Sequence, residues 1–528
     1  MTEFNRARRW AGALLATTIV VLSGCSTTTA ALDPAKQAPR ADQSVVAVTV
    51  TGNTAQVTAM DSLTVFRSPL PDGSPGGQFT LRQMAPGLSR DTALFVGVLP
   101  AGEYQFLQFD NFQTRRYLLI SPGMRERIGR FRIVVGEATD LGRLIVTPVN
   151  TSVVVGRSAR VSSNMALMTR FVPEELPFFQ GRVNAGWVEP RGAQDRIEEY
   201  ALGRPVGADD PVELADGRVV AGTRLGSILV REKDGRWHVV GSDVLQSVLS
   251  VAPTGGDNPA IVAVGEFDTI LRLPPQASRM EVVDPGNLPP GNLFFVGGND
   301  HDGWYVGLQQ AKQVQVLHSA TLAHGDWTSL ASDSVASDFF NGGNRAWLWS
   351  LPGGLGYALS SGRIRHLDYA SGRWSETKAA NNNRLTGMTW NPDGSLGILT
   401  SPGGGFGGVF ASLYLTTDFG TTWSEVKSDF SVSVSPPFRT QRGTLLVPGG
   451  VFGKREMHAS TDGGKTWVPR GEYPLDRRLV ITTQGLIGID GGGLGLFGIW
   501  HSDDEGATWK SEYTNFDRTA YEQQRDKK

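Results

Sequence analysis

The sequence predicts an all-β chain, on three observations. An eight-residue phrase is written three times near the C-terminus. It reads Thr416-Thr417-Asp418-Phe419-Gly420-Thr421-Thr422-Trp423, then Ser460-Thr461-Asp462-Gly463-Gly464-Lys465-Thr466-Trp467, then Ser502-Asp503-Asp504-Glu505-Gly506-Ala507-Thr508-Trp509. The copies are evenly spaced: Asp418 to Asp462 is 44 residues and Asp462 to Asp504 is 42. That period suits a unit of four antiparallel strands, one blade of a propeller. Upstream, short alternating apolar segments follow one another between Gly, Pro and Asp turns. Together these predict a seven-bladed β-propeller preceded by a small β-sandwich.

The common pattern is (Ser/Thr)-x-Asp-x-Gly-x-Thr-Trp, and each part has a physical task. The Asp carboxylate accepts backbone N–H groups a few residues on and closes a turn. The Gly supplies a positive φ. The Trp opens the next strand and folds its ring over the hairpin. Stepping back by the same period finds weaker copies: Ala370-Ser371-Gly372-Arg373-Trp374, His324-Gly325-Asp326-Trp327, Ala277-Ser278-Arg279-Met280 and Lys233-Asp234-Gly235-Arg236-Trp237. Seven slots result, at Trp237, Met280, Trp327, Trp374, Trp423, Trp467 and Trp509, placing seven blades over residues 208–516.

The phrase resembles the Asp box of the BNR repeat, found in β-propellers of the sialidase, sortilin-like and photosystem-assembly-factor types. The resemblance implies that Asp418, Gly420, Trp423, Asp462, Gly464, Trp467, Asp504, Gly506 and Trp509 are structural. It places each box in the hairpin between the third and fourth strands of a blade. It does not imply an activity, because enzymes and pure binders share the box. The sialidase motif, Phe/Tyr-Arg-Ile-Pro, has one near match, Phe131-Arg132-Ile133-Val134. That match lacks the Pro and lies in the N-terminal region, and no Arg triad aligns.

The chain opens with a targeting pattern over residues 1–24. Arg6, Arg8 and Arg9 precede an apolar run from Trp10 to Leu22, short for a membrane span. Leu22-Ser23-Gly24-Cys25 resembles a bacterial lipobox, which implies lipidation at Cys25 and anchoring to the envelope. By the same resemblance, Ser26 favours the outer membrane. Cys25 is the single cysteine of the 528 residues, so no internal disulfide forms. Residues 25–43 read as a flexible tether, 44–150 as an immunoglobulin- or prealbumin-like sandwich, and 151–207 as a connector. In the connector, Glu174–Phe179 and Gln194–Tyr200 suit short helices. Residues 517–528 form a charged tail. A formal net charge of −2 with 19 % charged residues gives no reason to expect a nucleic acid partner.

In a propeller the loops between second and third strands lie opposite the boxes. In blades five to seven these loops are long and carry Gly and Phe: residues 403–408 around Phe406, then 449–455 with Phe452, Lys454 and Arg455, and 490–498 with Phe497. Exposed aromatics beside cations suit stacking on a sugar or anchoring a protein segment. An alternative is that each Phe tucks into its own blade. His318, His366, His458 and His501 fall eight or nine residues before their Trp slots, one third-strand position in four blades. Positions so far apart cannot share one ion, so no metal site and no cofactor are expected. Asp300-His301-Asp302-Gly303 reads as a solvated turn. The functional expectation is a lipid-anchored binding or scaffolding protein of the cell envelope. The alternative is a glycan-active hydrolase, which needs two inward carboxylates at suitable separation.

Overall fold

The computed structural model describes residues 39–516, apart from 55–59, 70–72, 74–75, 87, 113, 150–151, 161–163, 193–194, 257, 336–344, 381–383, 386, 392–395, 403–410, 429, 431–437, 450–455, 473–477 and 491–496. Cys25 and the tail 517–528 therefore lie outside the described residues.

The N-terminal part is built from ten strands: β1 (Gln43–Gly52), β2 (Ser62–Arg67), β3 (Gln78–Met84), β4 (Thr92–Pro100), β5 (Gly102–Asn111), β6 (Arg116–Leu119), β7 (Phe131–Ile133), β8 (Ala138–Val149), β9 (Ser152–Arg157) and β10 (Val183–Asn184). Alternation along β1 decides its two faces. Val46, Val48 and Val50 point into one core with Leu63, Phe95, Phe106 and Leu144. Val45 and Ala47 point the other way, onto Leu167 and Met168 of a helix.

Hydrogen bonding joins the ten strands into a single sheet, ordered β10-β8-β1-β4-β3-β2-β5-β6, with β7 on β5 and β9 on β8. It does not divide them into two separate sheets, because the parallel pairing of β1 with β8 bridges what would be a gap. The sheet rolls on itself. Phe131 of β7 bridges to Trp187, whose Nε1 donates to Leu141 O of β8 (3.1 Å), drawing the two edges together. Phe131 stacks on Tyr104 inside this roll, so the phrase around Arg132 is a core strand.

Three short helices and a 3-10 turn decorate the sheet: α1 (Pro122–Ile128), α2 (Asn164–Phe171), the 3-10 turn (Pro173–Phe179) and α3 (Ile197–Gly203). α1 starts at Ser121, whose Oγ accepts the Met124 N–H, with Pro122 in the first turn.

After residue 208 come seven four-stranded antiparallel sheets, each in simple sequence order. They span residues 209–241, 248–283, 292–334, 346–378, 387–426, 438–472 and 478–514. Strand direction alternates within each sheet. The strand 2–3 loops and the links between sheets therefore share one face, and the strand 1–2 and 3–4 turns share the other. First strands touch from the first sheet to the fourth and again from the sixth to the seventh, so they lie innermost there. The row closes on itself. Val219 and Leu229 of the first sheet share a core with Ile487 and Ile499 of the seventh, and Arg231 is bridged to Glu512. This mostly β arrangement of many small antiparallel sheets is propeller-like.

The seven Trp/Met slots sit at the start of each fourth strand, in or beside the strand 3–4 hairpin. The three full phrases fold alike. Asp462 Oδ1 accepts the Lys465 and Thr466 N–H groups (3.0 and 2.9 Å) and its Oδ2 accepts the Thr466 hydroxyl (2.6 Å). Ser460 donates to Asp462 and accepts the Gly464 N–H. Asp418 with Thr416 and Thr422, and Asp504 with Ser502 and Thr508, repeat this. Gly420, Gly464 and Gly506 each hold a positive φ. The indole N–H of Trp423 reaches Lys378 O and that of Trp467 reaches Lys427 O, each at the end of the preceding sheet. Trp327, in a weaker copy, does the same to Pro285 O (2.8 Å). Trp509 instead bonds Gly506 O in its own turn.

These turns make a prediction about acid. Hydrogen bonds from Thr422 and Thr416 hold Asp418 down to about 2, and those from Thr466 and Ser460 hold Asp462 lower still. A depressed carboxyl contributes stability above its unfolded value and loses it as pH falls through the folded one. Asp462→Ala should therefore melt below the wild type at neutral pH, the gap narrowing towards pH 2. Thermal unfolding across that range checks it, and partner capture by the folded variant should be unchanged.

Candidate functional site

The rolled N-terminal sheet is docked on the face that carries the strand 2–3 loops, over the first three small sheets. The segment between β3 and β4 makes the central contact. Arg90 and Asp91 donate their N–H groups to Glu266 Oε1 (2.7 and 2.8 Å), and Glu266 lies on the strand 2–3 loop of the second sheet. Arg224, on the equivalent loop of the first sheet, donates Nε to Asp91 Oδ1 (2.8 Å). Ser247, on the link between those sheets, donates Oγ to Asp91 Oδ2 (2.9 Å). Further out, Arg170 of α2 bonds Asp268, Phe171 packs edge-on against Phe267 (5.0 Å), and Asn292 bonds Leu88 O.

Beneath this contact the innermost strands carry charge. Arg90 reaches from the N-terminal sheet to both oxygens of Asp209 (3.1 and 2.9 Å). Next to it Asp210 accepts the Ser250 hydroxyl from the second sheet (2.5 Å) and lies 3.7 Å from Arg478 of the seventh. Desolvation raises the Asp210 carboxyl, with the Arg478 charge opposing, yet 31 % of its side chain and 42 % of Arg478 remain open to solvent. Asp210 thus sits between the second sheet and the seventh, at the closure of the row.

The opposite face holds two polar hollows on either side of the turn at Thr483 and Gln484. One of about 300 Å³ is lined by Thr440, Arg442, Gln484 and Glu505. The other, about 410 Å³, lies against residues 213–217. Glu505 is bound there by the hydroxyls of Thr440 and Thr444 (2.9 and 3.1 Å).

Of the rim residues, Phe406, Phe452, Lys454 and Arg455 lie outside the described residues. Phe497 does not belong to an exposed rim. It is 3 % exposed and packs against Tyr513, in the core shared by the seventh and first sheets. The reason is its place immediately before the third strand Gly498–Ser502, where ring closure seals it. Phe497→Ala would thus cost core packing, about 3–5 kcal/mol, and cannot serve as a binding probe.

The four third-strand histidines pair locally. His318 packs tilted against Tyr305, His366 stacks on Phe419 and His458 on Phe430, while His501 Nε2 meets Gln484 O (3.0 Å). Among the described residues no group of three or more His, Cys, Asp or Glu is placed to hold a metal ion. His301 sits in an exposed turn against Asp302. No helix among the described residues is long and apolar enough to cross a membrane.

The docking residues Arg90, Asp91, Arg224 and Glu266, and the neighbouring carboxylates Asp209 and Asp210, carry no signal of their own in the sequence pattern. They occur once each, on segments outside the repeated phrase. The one available signal was position: Arg224 and Glu266 fall in strand 2–3 loops of the first and second repeats.

The architecture defines the class: a propeller-like β protein with a rolled sheet docked on one face. No protein-family model matches the sequence, and no curated protein matches it. Among solved structures the chain is similar to a puromycin-hydrolysing peptidase of Mycobacterium tuberculosis, at 13 % identity over 60 % of this chain and 55 % of that one, TM-score 0.40. It is similar to YCF48 bound to D1 peptide, at 17 % identity over 51 % and 82 %, TM-score 0.36. It is also similar to the GH74 xyloglucanase from Xanthomonas campestris, at 15 % identity over 58 % and 53 %, TM-score 0.40. The chain spans about half the length of the peptidase and of the xyloglucanase.

Proposed function

We propose that this chain is a lipid-anchored binding or scaffolding protein of the cell envelope, built as a seven-bladed Asp-box propeller behind the rolled N-terminal sheet. One observation carries the reading. The docked sheet covers the loop face over the first three small sheets, so a partner on that face must use the sector of the fourth to seventh. That sector bears Phe406, Phe452, Lys454 and Arg455, whose aromatic and cationic chemistry suits a protein segment or a glycan. The anchor is Cys25, with the outer membrane as the expected site.

The test is affinity capture from solubilised envelope with the wild type and a Phe406→Ala, Phe452→Ala double variant, leaving the buried Phe497 intact. The folded double variant should lose the partner. Equal capture by both forms would sink the rim reading. Labelled palmitate should enter the wild type and not Cys25→Ala, and equal labelling removes the anchor.

A second reading, a glycan-active hydrolase, is favoured by one feature: the raised, solvent-reached carboxyl of Asp210 beside Asp209. Release of sugar from envelope glycans by the wild type and not by Asp210→Asn would establish it. Inert wild type in that assay leaves the binding reading in place.

A further inference from the structure

Two carboxyl groups from opposite sides of the domain contact are buried against each other. Asp91 comes from the N-terminal sheet and Glu266 from the second small sheet, and both are closed off from solvent. Glu266 Oε1 accepts the Arg90 and Asp91 N–H groups, and Ser247 touches both carboxyls, by Oγ to Asp91 (2.9 Å) and by N–H to Glu266 (3.4 Å). Asp91 has cations on both oxygens, Arg224 (2.8 Å) and Arg90 (2.9 Å). Glu266 has no ion pair of that kind among the described residues. Ser89 is beside it, and Arg143 of β8 faces it across the contact, with Glu198 and Arg160 behind. Arg143 is itself buried, and its Nε lacks a hydrogen-bond partner. Asp268, on the same loop, is taken by Arg170. Asp209 is taken by Arg90.

We propose that docking of the N-terminal sheet onto the first and second small sheets is coupled to one proton, held between Asp91 and Glu266. Apart and in water, each carboxyl titrates near its ordinary value of about 4. Pressed together without water, the second negative charge is costly, and the pair keeps a proton. The electrostatics agree with the geometry. Burial, then the Asp91 charge, pushes Glu266 up to about 7, against the opposing Arg90 charge and the hydrogen bonds from Ser89 and the Asp91 N–H. Burial also acts on Asp91, but Arg224 and Arg90 outweigh it and hold Asp91 below its ordinary value. The proton therefore resides on Glu266.

The sign follows from linkage. An acid whose docked value is raised favours docking below its free value, and this contribution is lost as pH climbs through the raised one. Docking is tightest in mild acid, and this pair weakens it by about tenfold per pH unit between about pH 5 and 7, the signature of one proton. Asp268, pushed up to about 6 by burial against the pull of Arg170, adds a second proton in the same direction and steepens the dependence below about pH 6. Loosening the contact frees Asp209 from Arg90, so pH sets exposure of that carboxylate. This holds whatever the uncovered sector binds.

The test uses the purified full chain. Infrared difference spectra of the wild type should show a buried protonated carboxyl that is lost between pH 6 and 8, and Glu266→Gln should lack that band. Small-angle scattering should show the wild type expanding between pH 5.5 and 8.5, with Glu266→Gln staying compact at both. A wild type with no such band, or a Glu266→Gln variant with the same pH-dependent expansion, overturns the proposal. Should Glu266→Gln fail to fold, the wild-type band alone decides.

Discussion

Glu512→Ala is expected to lower the stability of the chain by about 3–5 kcal/mol, because it strands a buried guanidinium. Arg231 and Glu512 are 4 % and 7 % exposed, so solvent does little to screen them. Both carboxylate oxygens are used: Arg231 Nε and Nη2 donate at 2.8 and 2.7 Å, and Trp237 Nε1 adds a third bond at 3.0 Å. Arg231 also bonds Gln484 (2.6 Å). These residues belong to the first and seventh small sheets, so the cluster is the clasp of the ring. Burial alone would raise the Glu512 carboxyl, but the bonds from Arg231 and Trp237 and the Arg231 charge hold it below its ordinary value. The clasp is therefore present at neutral pH and lost on acidification. Denaturant unfolding of the single variant measures the cost. The paired change Arg231→Met, Glu512→Leu should recover most of it, since a packed apolar pair leaves no charge unmatched. A single variant within about 1 kcal/mol of wild type would mean that solvent reaches the clasp.

Asp91→Ala should cost about 3–5 kcal/mol by the same logic, but the damage should concentrate at the domain contact. Asp91 is the hub on which Arg224, Arg90 and Ser247 converge from two small-sheet segments and its own. Removing it leaves Arg224 buried without its carboxylate. The N-terminal sheet keeps its own core of Val46, Phe95, Phe106 and Phe131, and the small sheets keep theirs. The expected result is separate unfolding steps and faster protease cleavage near Arg90 than in the wild type. A single cooperative transition with unchanged cleavage would show that the apolar contacts around Phe267 hold the domains without the charge hub.

What the sequence by itself determined is the local and periodic part of this protein. The phrase around Asp418, Asp462 and Asp504 is a turn closed by its own residues, so its hydrogen bonds could be read from eight positions. The Trp/Met slots marked the strand 3–4 hairpins because a large apolar residue recurs at the start of each fourth strand. In the N-terminal part, β1, β2 and β4 were legible from alternation, whereas β3 and the short strands β6, β9 and β10 were not. Their pairing depends on partners far along the chain.

The tertiary structure decided everything that needed two distant segments at once. Phe497 sits in a Gly-rich stretch that reads as a loop, and only the approach of the first sheet to the seventh seals its ring. The joining of the N-terminal strands into one sheet rests on the parallel contact of β1 and β8, about ninety residues apart. Asp91, Arg224 and Glu266 are unremarkable on their own stretches of chain. They become a buried charge cluster because docking removes the water that would otherwise solvate each of them, and no short window of sequence contains that event.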